Sequence, residues 1–153
     1  MAEARNHARQ AVDLTRIIGT TFFGPIALAI WASLSEDNES RREALKEAEG
    51  ILDSGCVAHN HFWFGEVAIE QSLCAGEWDA ALHFADRLEA YMQDQPLEWP
   101  SYICARGRAL AAWGRGDRSS ALLDEIARLK ASAEHAGLKT MVPALDRALA
   151  AAP

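Results

Sequence analysis

Apolar side chains recur at every third or fourth position over most of this chain, which places them along one face of an α-helix. The pattern is clearest in three stretches of five apolar residues each: Ala44, Leu45, Ala48, Ile51 and Leu52; Ala81, Leu82, Ala85, Leu88 and Met92; Ala121, Leu122, Ile126, Leu129 and Ala133. Small alanines at the start of each stripe let a neighbouring helix approach closely, and the bulkier residues fill the space between helix pairs. The pattern therefore predicts an all-α protein of amphipathic helices packed in pairs.

Glycines, prolines and helix-capping residues divide the chain into about eight predicted helices. The first helix spans residues 3–18, antiparallel hairpins span 25–54, 62–92 and 100–137, and a last helix spans 143–151. A length of 153 residues is that of one domain, so we predict a single helical-repeat domain over residues 1–153. The first helix has no hairpin partner, and we expect its apolar face to be covered by another chain or by sequence lost from a truncated repeat.

A short segment occurs three times along the chain. It is GEWDAAL at residues 76–82, GDRSSAL at residues 116–122 and, more faintly, ESRREAL at residues 39–45. The Ala-Leu pairs at 44, 81 and 121 are separated by 37 and 40 residues. Self-similarity at this period in helix-forming sequence is typical of stacked helical hairpins.

The net charge of −7 and the isoelectric point near 5.2 argue against general nucleic-acid binding, which needs clustered lysine and arginine. The charge is unevenly distributed along the chain. The first 99 residues hold 17 acidic and 7 basic side chains, whereas the remaining residues hold 5 acidic and 8 basic ones. We therefore expect one acidic and one mildly basic end of the repeat stack, and no nucleic-acid partner.

Cysteine usage and apolar runs bear on the cellular location. Cys56, Cys74 and Cys104 are odd in number and form no C-x-x-C pair, which is typical of reduced thiols in the cytoplasm. The polar N-terminus does not resemble a secretory signal. The longest apolar run, residues 22–32, is too short to span a bilayer and predicts a buried helix. We expect a cytoplasmic protein with no membrane partner.

The repeated segment resembles the tetratricopeptide repeat, in which a Gly-acidic-aromatic-acidic turn joins two antiparallel helices and an alanine follows early in the second helix. The matching residues are Gly76, Glu77, Trp78, Asp79 and Ala81 in one copy, Gly116, Asp117 and Ala121 in the next, and Ala44 in the first. The resemblance covers roughly residues 25–137 and implies a short right-handed superhelix that binds a protein. The repeats are divergent, since their period is longer than the family's and Ser72 and Ala112 replace the usual aromatics.

Other segments resemble the C-terminal repeat region of large bacterial signalling proteins. They are VAHNHF at residues 57–62, ARGRALAA at residues 105–112, and Gly137-Leu138 with Pro143-Ala144-Leu145. In those proteins a class III adenylate cyclase precedes a nucleotide-binding ATPase and a helical tail. The resemblance implies a regulatory role in a bacterial signalling system, with the catalytic machinery outside these residues.

Arg106, Arg108 and Arg115 form the candidate partner site, near the turn that follows the sixth predicted helix. Repeat proteins of this resemblance hold acidic peptides or terminal carboxylates with basic side chains, and arginine does so through bidentate hydrogen bonds. Trp99 and Trp113 are the candidate apolar contacts. The alternative interpretation of the arginines is an ordinary solvated helix end.

Cys56, His59, His61 and Glu66 offer the sulfur, nitrogen and oxygen atoms that bind zinc. No second H-x-x-x-H or C-x-x-C element completes a ligand set, and the alternative is that His59 or Asn60 caps a helix. Phosphate-loop, dinucleotide-binding, nucleophile-elbow and zinc-protease motifs are absent from the sequence. We therefore expect no catalytic residues, no metal and no cofactor.

The leading hypothesis is a non-enzymatic protein-interaction or regulatory module of the bacterial cytoplasm, with a protein or an acidic peptide as its partner. One alternative is a self-assembling module that dimerises through the uncovered first helix and the oppositely charged ends. A further alternative is a small metal-binding or ligand-binding protein centred on Cys56, His59 and His61.

Overall fold

Eight α-helices make up the regular structure in the computed structural model, which describes residues 2–152. In chain order they are α1 (Ala2–Ile18), α2 (Gly24–Leu34), α3 (Asn38–Ser54), α4 (Ala58–Cys74), α5 (Trp78–Tyr91), α6 (Glu98–Gly114), α7 (Ser120–His135) and α8 (Val142–Ala150). No strand occurs within residues 2–152, which confirms the predicted all-α class and the number of helices. None of the helices in this range has both the length and the apolar character needed to cross a bilayer.

The chain divides into two compact units. Unit 1 ends at Gln71 and unit 2 begins at Ser72, so α4 contributes residues to both. The predicted hairpin at 25–54 lies in unit 1, where α2 packs on α3. The predicted hairpin at 100–137 lies in unit 2, where α6 packs on α7. Each unit is therefore built from neighbouring helices that pack in sequence order.

The most buried helix of unit 1 is α2, which contacts both α1 and α3. Its sequence is apolar on all sides, as is typical of a helix inside a core, and Ile26, Leu28 and Ala29 are buried. Pro25 lies in its first turn, where a residue without an N–H group loses no helical hydrogen bond. By contrast, the buried residues of α1 form one narrow face, made of Ala8, Val12 and Thr15.

Unit 2 is organised around α6, which contacts α5, α7 and α8. Its core combines Ala109 and Leu110 of α6 with Ile126 and Leu129 of α7 and Leu145 of α8. Because neighbours pack on α6 from several directions, side chains on more than one of its faces are buried.

The repeated glycines of the sequence mark helix ends with one shared hydrogen-bond pattern. Backbone N–H groups donate to carbonyl oxygens five residues earlier in the pairs Glu77–Ser72, Asp117–Ala112 and Leu138–Ala133, at 2.9, 3.1 and 2.8 Å. The residues before the donors are Gly76, Gly116 and Gly137, all with positive φ. This is the Schellman motif, which needs a residue in the left-handed region at that position. The segments at residues 76–82 and 116–122 thus resemble each other in part because the same hydrogen-bond pattern ends the helix before each of them.

Side-chain caps set the starts of two helices. Asp37 accepts a hydrogen bond from the backbone N–H of Ser40 at 2.7 Å, so α3 begins at residue 38. Ser119 accepts from the N–H of Leu122 at 3.4 Å, so α7 begins at residue 120. The start of α4 differs most from the prediction, since it lies at residue 58 instead of residue 62.

Candidate interaction surfaces

Arg106, predicted as a partner contact, lies inside unit 2. It is 2% exposed, and its Nε donates a hydrogen bond to the carbonyl oxygen of Met141 at 3.0 Å. Met141 immediately precedes α8, so this bond ties α6 to the start of α8. The prediction of a surface role is corrected, because a guanidinium buried between packed helices and bonded to the backbone is not accessible to a partner.

Arg108 is partly exposed and bonded within unit 2. Its Nη2 donates to Oδ1 of Asp86 and to Oε2 of Glu89, at 2.7 Å each, and both carboxylates belong to α5. A partner carboxylate would have to compete with these two acceptors. Exposed pairs of this kind contribute little to stability, about 0–1 kcal/mol, but they occupy the donors that were predicted to bind a peptide.

The turn after α6 has a similar internal arrangement. Arg115 forms an ion pair with Asp79 of α5. The ring of Trp113 is covered on one face by Arg118, whose Cζ lies 3.4 Å from the ring centroid. The Nη1 of Arg118 also donates to the carbonyl oxygen of Trp113 at 2.7 Å. These contacts stabilise the turn, and the cation–π geometry leaves less of the indole available.

Trp99 lies at the opposite end of α6 from Trp113. It is half-buried and stacks on Tyr102, with ring centroids 6.4 Å apart and an angle of 19° between the planes. Two residues 14 positions apart on a helix are separated by roughly 20 Å at a rise of 1.5 Å per residue. The five predicted contact residues therefore do not converge on one surface.

The side chains of His59 and Asn60, at the start of α4, contact the backbone of the turn between α1 and α2. The Nε2 of His59 lies 3.0 Å from the carbonyl oxygen of Phe22. Asn60 is fully buried, and its Nδ2 donates to the carbonyl oxygens of Thr21 and Phe22, at 3.2 and 2.9 Å. Neither side chain caps its own helix, contrary to one interpretation of the sequence. The first turn of α4 forms because these side chains bond to a turn that is distant in the sequence.

The residues proposed for zinc are not arranged as a metal site. Within the described part of the chain, no group of three or more His, Cys, Asp or Glu side chains is placed to hold a metal ion. Burial raises the pKa of the Cys56 thiol, and a hydrogen bond with Asn60 offsets only part of that effect. A protonated thiol is a poor metal ligand and a poor nucleophile. The geometry thus gives the metal-binding alternative no support.

Six exposed apolar side chains gather at one end of unit 1, and we call them the apolar surface. They are Leu14, Ile17 and Ile18 at the end of α1, Phe22 and Phe23 in the following turn, and Val57 just before α4. Ile17, Ile18 and Phe22 are 81%, 73% and 60% exposed. Apolar side chains this exposed and this close together are typical of interaction sites.

The apolar surface has a rigid support. Phe22 and Phe23 contact each other and His59, with ring centroids between 5.2 and 5.4 Å apart. The backbone N–H of Val57 donates to the carbonyl oxygen of Thr21 at 3.3 Å, which joins the segment before α4 to the same turn. Together with Asn60, these contacts join the turn that carries the aromatic rings to the start of α4.

The sequence pointed to part of this surface and missed the rest. The first helix was expected to lack a hairpin partner, but α1 packs on α2. Leu14, Ile17 and Ile18 of α1 are exposed. The apolar run at residues 22–32 was predicted to be buried, but Phe22 and Phe23 precede α2 and are exposed. The signal that could have separated them is Gly24-Pro25, which marks the helix start after the two phenylalanines.

A groove of about 290 Å³ lies along a different flank of α1. Arg9, Asp13 and Arg16 of α1 and Glu43 and Glu47 of α3 are among its lining residues. Arg16 donates to both carboxylate oxygens of Glu47, at 2.7 and 2.9 Å. The charged side chains of the second half of α1 therefore face this groove and leave the apolar surface uncharged.

No protein-family model, curated protein or solved structure matches the chain. The fold therefore defines the class alone, an all-α protein of packed helical hairpins.

Proposed function

We propose that this chain is a non-enzymatic protein-interaction module that contacts its partner through the apolar surface of unit 1. The observation that carries the proposal is the exposure of Ile17 and Ile18 at the end of α1 and of Phe22 in the braced turn that follows it. Exposed apolar side chains in water are unfavourable by about 25 cal/mol for each Å², so a partner that covers them gains free energy. Polar contacts at the rim then provide specificity.

The contrast with unit 2 supports this location. The donors of Arg108 and Arg115 are engaged by Asp86, Glu89 and Asp79, so an acidic peptide would replace existing ion pairs and gain little. The apolar surface has no such internal competitor. We therefore assign the docking function to unit 1 and not to the arginines of unit 2.

A regulatory role in a bacterial signalling system is the form of this function that the sequence favours. Its support is the resemblance of residues 57–62 and 105–112 to the helical tails of such proteins, and that of residues 76–82 to the tetratricopeptide turn. Residues 57–62 also include Val57 of the apolar surface and the two side chains that hold the turn.

Site-specific photocrosslinking in cells that express the protein tests the proposal. A photoreactive amino acid replaces Ile17 in the apolar surface, and a control variant carries it at Ala127, an exposed position of α7. We expect protein adducts at position 17 and few at position 127. Adducts with any protein, including a second copy of this chain, support the interaction function.

The contrary result is equally clear. If position 17 yields no more protein adducts than position 127, while both variants unfold at the wild-type temperature, the surface does not contact a protein and the proposal fails. Thermal unfolding of both variants is the necessary control, since an unfolded variant would crosslink without specificity.

A further inference from the structure

We infer that the apolar surface is covered by a second copy of this chain in a two-fold symmetric dimer. The inference rests on the proposed function, because it names the partner of the same surface. A symmetric interface places the same residues of both copies against each other, so the surface must be complementary to itself in charge and large enough to bind.

The size of the surface is sufficient for a dimer. A fully exposed Phe side chain presents about 150–250 Å², and aliphatic side chains present less, so the six residues together leave roughly 600 Å² of apolar area in water. Their exposed fractions lie between 39% and 81%. A patch of this size is near the upper limit of what monomeric proteins expose. Two copies in contact would bury roughly 1,200 Å², at the lower end of the range for stable specific interfaces.

The surface carries no charge that would oppose contact with its own copy. All six of its side chains are apolar, whereas Arg9, Asp13 and Arg16 of the same helix line the groove towards α3. Contact between the two sets of six side chains therefore buries no charged group. On a chain with a net charge of −7, a charged patch would instead meet the same charges of the second copy across the two-fold axis.

The braced turn lowers the cost of association. The carbonyl oxygen of Phe22 is held by α4, since it accepts from Asn60 and lies at hydrogen-bond distance from His59. Side chains that are ordered before binding lose less conformational entropy in the complex.

Light scattering after size-exclusion chromatography, over a wide range of protein concentration, tests the inference. We expect the wild-type chain to approach the mass of a dimer as the concentration rises. The variants Ile17→Glu and Ile18→Glu should weaken self-association at least tenfold, because each places a charge in the interface. The matched control is Leu97→Glu, which replaces an exposed apolar residue of unit 2 and should leave the dimer intact.

Disulfide crosslinking tests the two-fold axis itself. Ile18→Cys, in a Cys74→Ser background that removes the exposed native thiol, should form a covalent dimer under mild oxidation. Ala127→Cys in the same background should remain monomeric. Raising the salt concentration should leave dimerisation unchanged or strengthen it, since salt screens the repulsion between two chains of net charge −7 and does not weaken an apolar contact.

Three results would overturn the inference. A wild-type chain that stays monomeric at all concentrations excludes the second copy, and photocrosslinking at residue 17 to a different protein would then leave the proposed function standing. Binding of the monomer to lipid vesicles that is lost in Ile17→Glu would assign the surface to a membrane. Loss of the circular-dichroism melting transition in both glutamate variants would show that the residues stabilise the fold, and both proposals would fail.

Discussion

Trp78 packs directly against the Cα of Gly114. A Cβ atom added at Gly114 would lie 2.6 Å from two carbons of the Trp78 ring, well inside van der Waals contact. Trp78 is the first residue of α5, and Gly114 is the last residue of α6. Only a residue without a Cβ atom leaves room here for the Trp78 ring. The contact gives the aromatic side chain at this position of the sequence repeat a packing role.

We expect Gly114→Ala to destabilise the protein by about 1–3 kcal/mol, as other overpacking substitutions do. Alanine is otherwise the better helix former by about 1 kcal/mol. Chemical denaturation measures the difference. The matched control is Gly50→Ala in α3, where nothing lies within 4 Å of the added Cβ, and which should be stabilising by about 0.5–1 kcal/mol. Equal effects at the two positions would contradict the close contact with Trp78.

Arg106→Met should lower the free energy of unfolding by about 1–3 kcal/mol, since the carbonyl oxygen of Met141 loses its buried hydrogen-bond donor. Methionine retains much of the volume, so the effect reports the lost polar contact more than a cavity. Arg128→Met, which removes an exposed arginine paired with Glu125, should change stability by no more than about 0.5 kcal/mol. A neutral Arg106→Met variant would show that the bond to Met141 is dispensable.

Asp37 should make the stability of the protein depend on pH. Hydrogen bonds from the backbone and side chain of Ser40 lower the pKa of its carboxyl group in the folded state. A group with a lowered folded pKa stabilises above its unfolded pKa, about 3.9, and this contribution is lost as the pH falls through the folded value. The variant Asp37→Ser keeps a capping oxygen without a titration. Urea unfolding should show the wild-type advantage shrinking on acidification, and a constant advantage would contradict the assignment.

The three thiols should react with iodoacetamide in a defined order. Burial raises the pKa of Cys104 to about 11, and its Sγ donates to the carbonyl oxygen of Ala85 at 3.4 Å, whereas Cys74 is exposed. Because the thiolate is the reactive form, Cys74 should be alkylated first, half-buried Cys56 more slowly, and Cys104 only after unfolding. Mass spectrometry of peptides over time measures the order. Rapid alkylation of Cys104 in the folded protein would contradict its burial, and equal rates in denaturant are the control.

The helices could be predicted because their signals are local. Apolar periodicity marked their buried faces, and Gly76 and Gly116 marked ends that the Schellman hydrogen bonds then close. The start of α4 was predicted at the wrong residue because its signals are not local. His59 and Asn60 bond to backbone atoms 37 to 39 residues earlier, and no local pattern contains that information.

The candidate site depended on distant contacts as well. The partner of Arg106 lies 35 residues later in the chain, and the two acceptors of Arg108 lie 19 and 22 residues earlier. From the sequence all three arginines looked equally available. The packing of α6 against α5, α7 and α8 buries Arg106 and pairs Arg108 with carboxylates of α5. The exposed residues that could contact a partner therefore lie in unit 1.

By itself, the sequence determined the all-α class, the number of helices and the glycine-ended turns, since each follows from the conformational preferences and spacing of nearby residues. Only the tertiary structure decided that Arg106 is internal, that His59 and Asn60 brace a turn, and that Phe22 and Phe23 are exposed beside Ile18. The physical reason is that burial and hydrogen-bond pairing depend on which distant segment packs against a side chain, and helical periodicity specifies only the face on which that side chain lies.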